Sequence, residues 1–259
     1  MMIMTKCSRV CRPVWALTVT LFFSLAIVFT AGAGTPRHFS SGDKQVNLVE
    51  LFTSQGCSSC PPAELWLGSL KEDPRLWKEI VPIAFHVDYW DYIGWKDIYA
   101  KSENSSRQRR YRDEKSIGSV YTPGFVVNGR EWRGWFRNRE LSLSKAGAGR
   151  LQAVLNDGQL QATYSATEEA EADLTLHVAL LGVGLQVEVT RGENSGRRLP
   201  QDFIVLEHLT AHSSNGSWSV TLPAVDLTGD SRPAIALWVS DGKYQKPLQA
   251  VGGWLDRNG

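Results

Sequence analysis

Two of the four cysteines in this 259-residue chain stand three apart, as Cys57-Ser58-Ser59-Cys60. A disulfide between them would close a very small ring. Cross-links stabilise mainly by restricting the unfolded chain, and small rings restrict it least. The pair is therefore better suited to cycling between dithiol and disulfide than to bracing a fold. The chemistry would be thiol–disulfide exchange. Cys57, as thiolate, attacks a partner disulfide, and Cys60 resolves the mixed species. Two other uses stay open. One is a copper or zinc carrier drawing on Cys57, Cys60 and His86, although no second Cys-x-x-Cys and no paired His spacing accompanies them. The other is a non-enzymatic binding or structural protein of the cell envelope that keeps a vestigial redox centre. No cofactor is implied, and no metal site is assigned.

Exchange needs a proton acceptor near the thiols and a surface that presents substrate. His86 and Asp88 are the candidates for proton handling. They open an aromatic, acidic block that runs to Tyr99 and also carries Trp90, Asp91 and Asp97. That block is either a groove beside the sulfurs or a packed loop whose acids cap turns. Trp90, Thr122 and Pro123 are the candidates for substrate contact, with Pro123 expected in the cis form. Arg107, Arg109, Arg110 and Arg112 read as a solvated helix face with local ion pairs. His177, His208 and His212 read as structural. Pro61 and Pro62 follow Cys60 directly, and a residue before proline is turned away from helical angles. The helix is therefore expected to start near Pro62, with Cys57 exposed just outside its end and only modestly activated.

The elements that must position these groups follow from periodicity. Residues 46–53 and 80–87 read as buried strands, made parallel by an intervening helix with Ala63, Trp66, Leu67 and Leu70 on one face. Residues 105–117 read as helical. Phe125 to Val127, the Asn128-Gly129 turn and Glu131 to Trp135 read as a hairpin. Residues 137–156 read as a helix that Gly147 and Gly149 weaken. After Gly158, short alternating runs at about 160–166, 172–180, 184–190, 202–209, 217–222, 234–240 and 246–251 suggest an antiparallel sandwich. The fold class expected is an α/β (α+β) thioredoxin-like domain over 45–157, followed by an antiparallel β-rich, sandwich-like region over 158–259.

The formal net charge is +1 and 42% of residues are hydrophobic. Without a basic field to displace counterions from phosphates, a nucleic-acid partner is not expected. Lys6, Arg9 and Arg12, the apolar run Val14 to Phe29 and Ala31-Gly32-Ala33 follow the layout of a cleaved secretion signal over residues 1–33, with 34–44 a linker. Cys7 and Cys11 would leave with that signal. The protein is then expected to be secreted, in a bacterial periplasm, and free of the membrane once cleaved. Its partners would be protein or small-molecule thiols and disulfides, and its oligomeric state is not legible.

The run Val49-Glu50-Leu51-Phe52-Thr53-Ser54-Gln55-Gly56-Cys57-Ser58-Ser59-Cys60-Pro61-Pro62-Ala63 closely resembles the hallmark of a secreted bacterial family, domain of unknown function 1223. His86-Val87-Asp88-Tyr89-Trp90-Asp91 with Gly94-Trp95 is similar to its second block. Tyr121-Thr122-Pro123 with Val126-Val127-Asn128-Gly129 is similar to its third. Gly192-Glu193-Asn194 with Gly196-Arg197 resembles a signature in its C-terminal half. The resemblance implies membership of the thioredoxin-like superfamily, and it implies little about activity because the family carries no assigned role.

Overall fold

A computed structural model of the chain describes Met1 and residues 35–167, 173–225 and 230–255. The strands in chain order are β1 (Arg37–Ser40), β2 (Asn47–Thr53), β3 (Ile80–His86), β4 (Gly124–Val127), β5 (Arg130–Glu131), β6 (Arg150–Asn156), β7 (Gln159–Ser165), β8 (Leu174–Val183), β9 (Leu185–Val189), β10 (Arg197–Gln201), β11 (Ile204–Ser213), β12 (Ser217–Thr221), β13 (Arg232–Ser240) and β14 (Pro247–Trp254). The α-helices are α1 (Pro61–Ser69) and α2 (Ser102–Asp113).

β2 and β3 show no alternation of burial: every one of their residues is buried, the polar Asn47, Glu50, Thr53 and His86 included. They pair in parallel, Asn47 opposite Ile80 through Thr53 opposite His86, with α1 as the crossover. Left there, β3 would present unpaired backbone groups along its far edge, which a buried strand cannot tolerate. The second half of the chain supplies the cover. β11 lies parallel to β3 at Ile204, and the Ala84 N–H donates to the Phe203 carbonyl at 2.8 Å. The result is one eight-stranded sheet in the order β14-β13-β8-β11-β3-β2-β4-β5.

This corrects the expected fold class. The molecule is mostly β, with fourteen strands and two α-helices among the described residues, and not an α/β thioredoxin-like domain with a β-rich region attached. Strands from both halves share the large sheet. A second sheet, β1-β6-β7-β12, packs against the β14-β13-β8 end. The strand period of two explains the layering. Leu176, Val178 and Leu180 of β8 and Ile235, Leu237 and Val239 of β13 meet Leu151, Leu160 and Trp218 of the smaller sheet. The alternate residues, Ala179, Leu181 and Trp238 among them, join the core beneath α1 and α2.

Three local expectations change. Residues 37–40, read as linker, form β1 against β6. The stretch 137–156 is not helical. It runs irregularly to Gly149 and then becomes β6, because Leu151 and Ala153 alternate into the sandwich core. Gly149 has φ +69°, and a Cβ there would stand 2.3 Å from the Ser165 carbonyl oxygen, so the chain turns at that position as only glycine allows. Asp157-Gly158, read as a boundary, is the turn of the β6–β7 hairpin, with both residues at positive φ.

Arg107 also departs from expectation. It is 1% exposed, and its Nε donates to Glu50 Oε1 at 2.7 Å. Glu50 sits inside an all-buried strand and needs a countercharge. Tyr111 donates to Glu50 Oε2, and Arg107 also reaches Gln245 and stacks over Trp238. This cluster ties α2 to both ends of the large sheet.

Among the described residues no helix is long and apolar enough to cross a membrane. The expected secretion signal, with Cys7 and Cys11, lies outside the described residues apart from Met1.

Candidate functional site

Cys57 and Cys60 form a disulfide in the turn between β2 and α1. The Cys57 N–H donates to the Ser54 carbonyl at 3.1 Å, and the Cys60 N–H to the Cys57 carbonyl at 3.2 Å. Cys60 caps α1 with φ −79° and ψ −35°, so the pre-proline penalty does not displace it from helical angles. The Ala63 and Glu64 N–H groups both donate to its carbonyl, at 2.9 and 3.1 Å. Pro61 and Pro62 have no N–H to leave unpaired, which suits them to a first turn. The same arrangement leaves few free amides to stabilise a Cys57 thiolate.

Neither sulfur is at the surface. Cys57 is 2% exposed and Cys60 fully buried, whereas the expectation was an exposed Cys57. Two segments cover the turn. The aromatic loop packs on one side, where a Cβ on Gly56 would sit 3.4 Å from Trp90 Cβ and Ile93 Cδ1. Across it lies the β9–β10 loop. Asn194, fully buried, donates from Nδ2 to the Gln55 and Cys57 carbonyls at 2.9 and 3.0 Å, and Glu193 Oε2 accepts the Ser58 N–H at 3.2 Å.

Trp90 links the turn to the proline loop. Its Nε1 donates to Thr122 Oγ1 at 2.7 Å, and the Thr122–Pro123 bond is cis. Thr122 is half-buried and Pro123 buried, just before β4, where Gly124 pairs with Phe52 of β2. Gln108 of α2 holds the loop by donating to the Tyr121 carbonyl at 2.7 Å. A Cβ on Gly124 would come within 2.8 Å of that same carbonyl oxygen.

Beneath α1 lies a buried acid–base cluster. His86 Nδ1 is 2.6 Å from Asp97 Oδ2, and neither side chain is exposed. Asp97 also accepts the Gln55 and Tyr99 N–H groups at 2.7 and 2.9 Å. Burial works to raise its pKa, but the His86 charge and these donors hold it below the usual carboxylate value. Glu64 completes the cluster. Thr53 Oγ1 donates to its Oε1 at 2.6 Å and Gln201 Nε2 to its Oε2 at 3.0 Å. Burial dominates and pushes Glu64 up. Burial alone would lower His86; the Asp97 carboxylate, with help from Glu64, outweighs it and sets His86 above its usual value. His86 Nε2 is buried with no hydrogen-bond partner among the described residues.

Of the residues expected to handle protons, His86 is therefore in this cluster. Asp88 is not: it is engaged by the Ser105 hydroxyl at the start of α2 and serves the turn. Glu64 went unremarked in the sequence, although an acid four residues after Cys60 shares that residue's helix face. Asn194 and Gln201 reach the site from 137 to 139 residues away and left no local signal beyond the Gly192-Glu193-Asn194 run. Among the described residues no group of three His, Cys, Asp or Glu side chains is arranged to hold a metal ion. His177 and His208 stack with Trp238 across the neighbouring strands β8, β11 and β13, and burial lowers both, His208 to about 3.

A crystal structure of an Agrobacterium tumefaciens protein is similar to the chain, with 23% identity and a TM-score of 0.58, over 84% of this chain and 97% of that one. At that identity the likeness is one of fold. HBP35 of Porphyromonas gingivalis is more distant, with 13% identity and a TM-score of 0.47, over 84% of this chain and 77% of that one. No curated protein shows significant similarity. The model of DUF1223, a family of proteins of unknown function, matches residues 48–240, and the chain belongs to that family.

Proposed function

We propose that this protein is a thiol–disulfide oxidoreductase that acts outside the cytoplasm on protein or small-molecule thiols and disulfides. The periplasmic placement rests on the layout of residues 1–33. The observation that carries the reading is the seating of the Cys57–Cys60 disulfide. It lies at a strand-to-helix junction, joined through Trp90 to the Thr122–cis-Pro123 loop, with Glu64 one helical turn beyond Cys60.

In the oxidising direction, a client thiolate attacks one sulfur of the Cys57–Cys60 bond. The client–Cys57 mixed disulfide forms and the Cys60 thiolate leaves, taking a proton held by Glu64 and His86. A second client thiolate then attacks the client sulfur, and Cys57 leaves as thiolate. The client ends as a disulfide, and the cysteine pair holds the two electrons. The reducing direction runs the same steps backwards, with Glu64 and His86 accepting the Cys60 proton. Burial of the cluster keeps that proton from bulk water.

The test is a redox titration of the mature protein against glutathione, reading both cysteines by alkylation and mass. A potential between about −270 and −120 mV, the span of known exchange proteins, is expected. A value below roughly −300 mV, or a pair that never reacts, would overturn the reading. The 2% exposure of Cys57 favours a second reading, an envelope binding protein with an inert disulfide. Full biological function in a Cys57→Ser/Cys60→Ser variant would establish that second reading.

A further inference from the structure

The β9–β10 ribbon is paired to no other strand among the described residues. Its own apolar cluster is small, with Val187, Val189 and Leu199 against Trp95 and Tyr99, and Tyr99 joins it to the core beneath α1 and α2. Yet its loop covers Cys57. The attachments of that loop to the Cys57 turn are few. Asn194 Nδ2 reaches the Gln55 and Cys57 carbonyls, and Glu193 accepts the Ser58 N–H. Arg197 holds Asn194 in place through its Oδ1 at 3.0 Å. Gly192 and Gly196, at φ +74° and +78°, give the loop its turns, and Gly192 lies against Trp95.

Such an arrangement suits motion. Local opening draws on segments with few buried apolar contacts and a handful of polar attachments. Freed carbonyls at Gln55 and Cys57 would be solvated, so lifting the loop strands no buried polar group. Closed, the loop and the aromatic segment opposite it leave Cys57 2% exposed.

We propose that residues 192–197 form a gate over Cys57, latched by Asn194, and that Cys57 reacts only from the open state. This rests on the exchange reading for its biological sense. Asn194 is then the residue that decides how often, and to which partners, the sulfur is presented.

The test uses the reduced full chain. The second-order rate of Cys57 alkylation by iodoacetamide is measured against pH for the wild type, Asn194→Ala and Asn194→Asp. The Asp variant keeps the shape and sets a carboxylate against two carbonyl oxygens. In both variants the high-pH plateau is expected to rise at least tenfold with the thermal midpoint little changed; the pH midpoint stays in place in Asn194→Ala and moves up in Asn194→Asp, where the new carboxylate opposes the thiolate. Equal plateaus in a folded variant would overturn the gate, as would a rise that tracks a loss of thermal stability. If Asn194→Ala does not fold, replacement of residues 191–196 by an Asn-Gly turn gives the same reading. Alkylation reads access whether or not exchange occurs. Faster alkylation in a protein that never equilibrates with glutathione would keep the gate and remove the exchange reading. A protein that exchanges with equal plateaus would do the reverse.

Discussion

Replacing Glu64 with Gln separates a proton-handling cluster from a merely packed one. Glu64 and Cys60 are four apart around the start of α1, so their Cβ atoms lie roughly 5–6 Å apart on one face. With charges about 6 Å apart and an effective dielectric of about 20, a Glu64 carboxylate and a Cys60 thiolate repel by about 3 kcal/mol. That corresponds to about two pH units on the Cys60 thiol. The substitution itself is structurally mild. Thr53 can keep donating to the remaining oxygen. The new amide would face the Gln201 amide nitrogen, but Gln201 Oε1 is buried and unpaired, so a flip of that side chain restores a donor–acceptor pair. The assay compares Cys57→Ser with Cys57→Ser/Glu64→Gln, each without residues 1–33 so that Cys60 is the single thiol, by ultraviolet thiolate absorbance against pH. The Gln variant should titrate about two units lower and lose the coupled step of Glu64. Identical curves would refute the reasoning, since they would place the carboxylate out of electrostatic reach of the sulfur.

Two further outcomes follow from buried charge. Arg107→Met strands the Glu50 carboxylate and should cost about 3–5 kcal/mol in urea unfolding, whereas Glu50→Gln/Arg107→Met should recover much of it. Stability should also fall as pH rises. Glu64 and His86 have folded-state pKa values above their usual 4.5 and 6.5, so the stability they confer is complete below those values and lost as pH climbs through the raised ones. Asp97 is depressed and acts oppositely, losing its share only as pH falls through its lowered value. The urea midpoint against pH checks this, and Glu64→Gln should flatten the alkaline limb.

Local signals in the sequence were reliable where one residue type has one physical use. Asn128-Gly129, read as a hairpin turn, sits at positive φ between β4 and β5. The alternating runs of the second half coincide with β7, β8, β9, β11, β12, β13 and β14. What failed was arithmetic on charge and partnership. Arg107 looks like its neighbours Arg109 and Arg110 in a basic run, and only the position of Glu50 in a buried strand distinguishes it. The expected α/β fold class failed for a similar reason. Nothing within 80–87 says which strand will occupy the free edge of β3, and a partner 120 residues away can supply it at a single bridge.

That long-range pairing bears on the chemistry as much as on the fold. By inserting β11 beside β3, the chain brings the preceding β9–β10 ribbon over the start of α1. Gln201, at the end of β10, then reaches Glu64, and Asn194, in the ribbon's loop, reaches Cys57. One contact bears on a group placed to hold the Cys60 proton, the other on access to the outer sulfur. A two-strand ribbon with its own small apolar cluster can shift without breaking the eight-stranded sheet. Displacement of that ribbon would loosen the Gln201 bond to Glu64 and the Asn194 bonds over Cys57 together. Opening would then couple exposure of the nucleophile to solvation of the buried acid, so access and proton uptake would change in one motion.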